Sequence, residues 1–156
     1  MSDVNPAAPA ELPQVQVVLQ KIYLKDASLE VPLAPHIYTR NWQPQLDVQV
    51  TTGLQPLTAD QAQVVLSVTV TAKLENDVAF LAEVQQAGIF QIKGLIDNAL
   101  RQRVLGSECP NILFPFARES ISELVQRGGF PQLLLQPIDF AALYQEHLRR
   151  EDGKAH

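Results

Sequence analysis

Four successive stretches of this chain alternate apolar and polar residues with a period of two, and only after them does the spacing become helical. In the first, Val15, Val17 and Leu19 stand on one side and Gln14, Gln16 and Gln20 on the other; further along it, Ala27, Leu29 and Val31 alternate with Asp26, Ser28 and Glu30, so that two acids share a face. The second carries Leu46, Val48 and Val50 and stops near Gly53 and Pro56. The third sets Val64, Leu66, Val68, Val70 and Ala72 against Val65, Ser67, Thr69, Thr71 and Lys73, which are good strand formers but less apolar. After a turn at Glu75, Asn76 and Asp77, the fourth places Val78, Phe80, Ala82 and Val84 on one face and Leu81 and Glu83 on the other. Alternation of this kind belongs to strands with one face on a core. Four such strands joined by turns, with helices after them, predict an α+β fold built on an antiparallel sheet.

Between the first two strands, Pro32, Pro35 and Pro44 bracket Ile37, Tyr38 and Trp42, which reads as a long crossover loop whose large side chains either dock on the core or line a groove. Pattern alone favours docking. Leu95, Ala99, Leu100 and Val104 follow the helical repeat until Pro110, which is expected to interrupt it. A second helix is predicted through Ala117, Ile121, Leu124 and Val125, with Pro115 near its first turn and Gly128 and Gly129 at its end. Leu133 to Pro137 should be extended, and Asp139 should cap a last helix whose face shows Phe140, Leu143, Tyr144, His147 and Leu148. Residues 1–13, with Pro6, Pro9 and Pro13, are expected to form a flexible arm, 14–148 a single domain and 149–156 a mobile polar tail.

The 156 residues, 46% of them hydrophobic, suffice for one domain with a real core. No apolar run approaches the roughly 20 residues that span a bilayer, and the start lacks the pattern of a secretory signal, which predicts a cytoplasmic chain without direct membrane insertion. The single cysteine, Cys109, has no histidine near it in sequence and reads as a half-buried filler rather than a nucleophile. His36, His147 and His156 lack metal-ligand spacing, and the glycine pair at a helix end is no phosphate loop, so neither metal nor other cofactor is expected. Residues 1–100 carry ten acids and five bases, residues 101–156 seven of each, so the net charge of -5 sits wholly in the first part. Such a chain is a poor fit to nucleic acid and favours basic partners.

The segments Ile22–Asp26 (IYLKD) and Asn41–Pro44 (NWQP) resemble the SecB family of bacterial export chaperones. So do Glu83–Phe90 (EVQQAGIF), Cys109–Glu119 (CPNILFPFARE), Arg127–Leu133 (RGGFPQL) and Asp139–Tyr144 (DFAALY), in order across nearly all of the chain after the arm. At the last helix the family commonly shows Asn-Phe-Asp-Ala-Leu where this chain has Asp139, Phe140, Ala141, Ala142 and Leu143.

The resemblance implies a four-stranded antiparallel sheet with helices packed on one face, assembled as a dimer of dimers. It implies an ATP-independent holdase that binds unfolded precursor proteins and delivers them to the export ATPase SecA. The client groove it implies lies between the crossover loop and the last helix, with Tyr38, Trp42, Phe140, Leu143 and Tyr144 as its wall. Asp26, Glu30, Leu81 and Glu83 match the acceptor of the basic SecA C-terminal tail, and Ala82, Val84 and Gln86 lie near the homotetramer interface. Two rival readings are a hotdog-type thioesterase and a fixed-partner adaptor. The thioesterase would place its long helix after the first strand, where no helical period is found, and no acid or histidine is set to act as its base.

Overall fold

The computed structural model describes residues 15–94 and 97–154; the expected arm, as well as Leu95 and His156, lies outside them. Strands β1 (Gln16–Glu30), β2 (Gln45–Pro56), β3 (Gln61–Leu74) and β4 (Asp77–Lys93) come first, and helices α1 (Asn98–Arg103), α2 (Cys109–Arg127) and α3 (Phe140–Lys154) come after them. The strands make one antiparallel sheet in the order β1-β4-β3-β2, so β1 and β2 are its two edges. Between β1 and β2 the chain makes only a short 3-10 turn, His36–Thr39, which leaves no place for the helix that the thioesterase order requires.

The alternation on β3 translates directly into burial: Ala62, Val64, Leu66, Val68, Val70 and Ala72 are sealed, and every residue between them keeps some surface. On β4, Phe80, Ala82, Val84, Phe90 and Ile92 continue the same face, and α2 lies across it with Leu113, Phe114, Ala117, Ile121 and Val125. Gly88 lets α2 and β1 come close, because a Cβ there would lie 2.9 Å from the Phe90 ring, 3.0 Å from Leu113 Cδ2 and 3.2 Å from Leu19 Cδ1.

Strand β1 keeps its apolar phase in an unexpected way. Its register against β4 slips between Leu19 and Lys21 and again between Leu24 and Asp26. Each slip moves every later side chain of the strand to the other face. Leu19 pairs with Phe90 on the helix side, Ile22 with Gly88 between the slips, and Ala27 and Leu29 return to the helix side opposite Val84 and Ala82. Asp26, Ser28 and Glu30 are thereby turned away from the helices, as the alternation predicts.

Two helical expectations are corrected. Pro110 does not interrupt: the chain continues from α1 through a π-helical turn, Val104–Glu108, into α2, with Pro110 in the first turn of α2 and Pro115 well inside it. The widened turn directly before Pro110 relieves the clash and the lost donor that proline imposes on a regular ladder. The second correction is at the end: α3 runs to Lys154, past Arg149 where the mobile tail was expected to begin. Two side-chain contacts one helical turn apart, the ion pair of Arg150 with Glu146 at 2.8 Å and the approach of His147 Nε2 to Glu151 at 3.2 Å, favour the helical continuation.

Candidate functional site

On β3 and β4 the helix side of the sheet is sealed, but on β2 it is not. Leu46, Val48 and Val50 pair with Ala72, Val70 and Val68, each fully buried. One strand further out, Leu46 keeps 44% and Val48 40% of its surface exposed. The sequence reads both strands alike, since the alternation is the same; what differs is that α2 packs chiefly on β4 and β3, and on β1, and does not cover β2.

A furrow results. Its apolar half, with a volume of about 540 Å³, has Leu46, Val48 and Val50 on one side and Leu133–Ile138 with Leu143 on the other. The linker 131–138, where Leu133 to Pro137 were expected to be extended, has no regular secondary structure, and Leu134 stands out into solvent. A second hollow of about 400 Å³ shares Val50 and Leu143, and adds Thr51, Thr52, Gly106, Phe140 and Tyr144, with Glu146, His147 and Arg150 at its rim. Val50 and Leu143 line both, so the two hollows adjoin one another along β2.

Aromatic rings adjoin the Leu46 end of β2. Trp42 stacks on Phe80 at 6.2 Å between centroids and meets Phe130 at 5.0 Å, and Tyr38 lies 5.3 Å from the same Phe130. Phe80 pairs with Ala72, which pairs with Leu46, so the register itself brings this cluster to the furrow. Tyr38 is 48% exposed, and its hydroxyl donates to the Gly128 carbonyl at 2.6 Å, tying the crossover loop to the end of α2. Gly129, at φ +84, takes the left-handed conformation that ends the helix beneath that ring. Arg40 fixes the same loop to the β3–β4 turn through Asp77 at 2.8 Å.

The five residues assigned to a groove wall therefore fall in two groups. Tyr38 and Trp42 sit in the aromatic cluster; Phe140, Leu143 and Tyr144 sit on α3. Phe140 is buried with its ring at 5.8 Å from Phe114, and so anchors the first turn of α3 more than it lines a surface. Asp139 caps that turn as expected, accepting from the Ala142 amide at 3.0 Å. The residues between the groups, Leu46, Val48, Val50 and Leu133–Ile138, were not singled out from sequence. Their apolar character was legible, but it looked like ordinary core.

On the opposite face of the sheet, Glu30 pairs with Leu81, Ser28 with Glu83 and Asp26 with Gln85. This brings Asp26, Glu30, Leu81 and Glu83 onto one patch of two neighbouring strands, away from the helices. None of these three acids takes part in an ion pair among the described residues. Ala82, Val84 and Gln86 lie instead beneath α2, with Ala82 and Val84 wholly sealed within the subunit. The Gln86 amide donates to the Tyr23 carbonyl at 3.1 Å and its oxygen accepts from Ser120 at 3.5 Å, so it joins α2 to β1. These three side chains keep almost no surface of their own exposed.

Cys109 is buried at the start of α2, and burial, reinforced by the charge of Glu108, pushes its thiol up to about 12. It is protonated and inert near neutrality. No group of three or more metal-ligating side chains occurs among the described residues, and no helix there is long and apolar enough to cross a membrane.

Comparison with known proteins gives a family match over residues 10–151, to the family described as preprotein translocase subunit SecB. Among solved structures, the chain is similar to the SecB-like chaperone Rv1957 of Mycobacterium tuberculosis in complex with a ChAD peptide from the Rv1956 HigA1 antitoxin. That similarity has a TM-score of 0.64 at 17% identity and covers 78% of this chain and 90% of that one. A protein of unknown function from Streptococcus agalactiae matches with a TM-score of 0.41 at 10% identity, covering 80% of this chain and 99% of that one.

Proposed function

Since this chain belongs to the SecB family, a family of chaperones, we propose that it is an ATP-independent holdase that binds unfolded precursor proteins in the cytosol and passes them to the export ATPase SecA. The observation that carries this reading is the furrow along β2, where side chains with the alternation of a core strand are left open to solvent. Apolar burial is non-directional and is worth about 0.8 kcal/mol per methylene, so such a surface accepts many sequences and prefers unfolded chains, which alone have apolar segments to offer. No nucleotide is needed for a step driven by burial. The bound ChAD peptide of the mycobacterial SecB-like chaperone, a protein of the same fold, supports a polypeptide as the occupant.

In this reading Tyr38, Trp42, Phe140, Leu143 and Tyr144 bound the groove at its two ends, and Leu46, Val48 and Val50 form its floor. The patch of Asp26, Glu30, Leu81 and Glu83 receives the basic C-terminal tail of SecA. The subunits form a dimer of dimers, in which a client wrapped over several grooves gains by effective concentration. The test is refolding or aggregation of a slow-folding precursor with and without the purified protein, in the absence of nucleotide. Delayed folding or suppressed aggregation at stoichiometric amounts is the expected result, and a client whose aggregation is unchanged would rule the holdase out.

A further inference from the structure

Helix α3 meets the rest of the described fold chiefly through the π-helical turn Val104–Glu108, and one close approach there is at Gly106. A Cβ built on Gly106 would lie 2.6 Å from Cδ2 and 2.8 Å from Cε2 of Tyr144. Carbon atoms at van der Waals contact stand about 3.5–4.0 Å apart, so the ring rests directly on the bare backbone of the turn. Tyr144, Gly106 and Val50 all line the same hollow of about 400 Å³. One turn earlier on α3, Phe140 is already held against Phe114. The first turn of α3 is thus pinned by a buried ring, while the wall of the hollow beyond it takes its position from a ring seated on a glycine.

We propose that Gly106 is the positioning residue of the client groove: it provides the seat of Tyr144 and so sets the width of the hollow between α3 and β2, and with it how large a client side chain the hollow takes. The inference rests on the reading of the furrow as a client site. Any side chain at position 106 displaces the ring, whether by rotation of the ring or by tilting of α3, and either movement alters the hollow because Tyr144 is part of its lining. Helix propensity cannot be the cause of such an effect, since alanine is the better helix former by about 0.5–1 kcal/mol.

The experiment uses the full chain labelled with 3-fluorotyrosine, which gives three fluorine signals from the three tyrosines, the one from Tyr144 assigned through Tyr144→Phe. Gly106→Ala should move that signal and leave those of Tyr23 and Tyr38 in place. In parallel, binding of a fluorescent extended apolar peptide from a precursor is measured in a double-mutant cycle. Gly106→Ala should weaken it roughly tenfold, the equivalent of losing a partly buried side-chain contact, and in a Tyr144→Ala background by less than twofold. An unmoved Tyr144 signal overturns the proposal, as does an equal loss of binding in both backgrounds. Should Gly106→Ala lose helix by circular dichroism, Gly106→Ala/Tyr144→Ala should regain it, because the displaced ring is gone; a double variant that also fails to fold refutes the seat. A wild-type chain that binds no unfolded peptide would overturn the client reading, while the fluorine signals still decide the role of Gly106.

Discussion

Replacing the exposed apolar residues of the furrow by polar residues of similar size should abolish most client binding without unfolding the protein. The variant is Leu46→Thr/Val48→Thr/Leu143→Gln, which gives β2 two strong strand formers and α3 a good helix former. Leu46, Val48 and Leu143 keep 44%, 40% and 41% of their surface exposed, and that fraction is what a client covers. Full burial of such a side chain is worth about 2 kcal/mol, so about four-tenths of it gives roughly 0.8 kcal/mol for each leucine and somewhat less for the valine. Together the loss is about 2 kcal/mol, or roughly a 30-fold weaker Kd. The assay is fluorescence anisotropy of a labelled unfolded precursor, with Val65→Thr on the opposite face of β3 as a control of similar chemistry. Binding within twofold of wild type, with an unchanged thermal midpoint, would refute the argument that the furrow is where clients are held. So would an equal loss in the Val65→Thr control.

Other parts of the structure lead to three more outcomes. Asp26→Asn/Glu83→Gln should weaken docking of a basic SecA-tail peptide and flatten its salt dependence, since exposed charges are screened over about 8–10 Å at physiological salt; titration calorimetry at two salt concentrations checks this. Gly88→Ala should overpack the contact among Phe90, Leu113 and Leu19 and lower stability by about 1–3 kcal/mol, read from the midpoint of urea unfolding. Cys109 should resist thiol reagents at pH 8 in the folded protein. Because its folded pKa is raised to about 12 from an ordinary value of 9.0, the folded state holds the proton longer, so stability is full below about pH 9 and falls as pH rises from there towards 12. Cys109→Ala should remove part of that alkaline loss.

Much of the sheet was legible in the residues, because a strand with one face on a core declares itself by alternation, and β3 does so without a break from Ala62 to Ala72. The two register slips in β1 are marked only by Ile22 and Leu24, whose even phase interrupts the odd phase of Val17 and Leu19 before them and of Ala27 and Leu29 after them. Because the slips cancel, the two ends of the strand agree, and a reading by simple alternation passes over the interruption. Pro110 misleads for a related reason: a proline ends a regular helix, but not one that widens into a π turn just before it. The end of α3 misleads because its polarity resembles that of a mobile tail, whereas Glu146, His147, Arg150 and Glu151 are spaced to pair along a helix. The outward facing of Asp26, Glu30, Leu81 and Glu83 was legible in the alternation, whereas their meeting in one patch depends on β1 pairing with β4, which alternation does not reveal.

The furrow has a geometric origin that alternation within single strands does not carry. Strands lie about 4.8 Å apart, so a four-stranded sheet presents a face wider than one helix of about 10–12 Å can cover. Helix α2 covers β4 and β3 and reaches β1, which leaves the helix side of β2 to the segments C-terminal to α2. Those segments are an irregular linker and a helix held by the π turn and by Phe140 against Phe114, and they approach β2 without closing on it. A second helix laid flat along β2 would have completed an ordinary two-layer domain with Leu46 and Val48 inside. Shortening the linker would test this: deleting Gln136 and Pro137 should pull α3 towards Leu46, protect Leu46 and Val48 amides from hydrogen exchange, and reduce client binding in proportion to the surface covered. Exchange at those amides that stays as fast as in the full-length linker would show that the furrow is held open by something other than the reach of this segment.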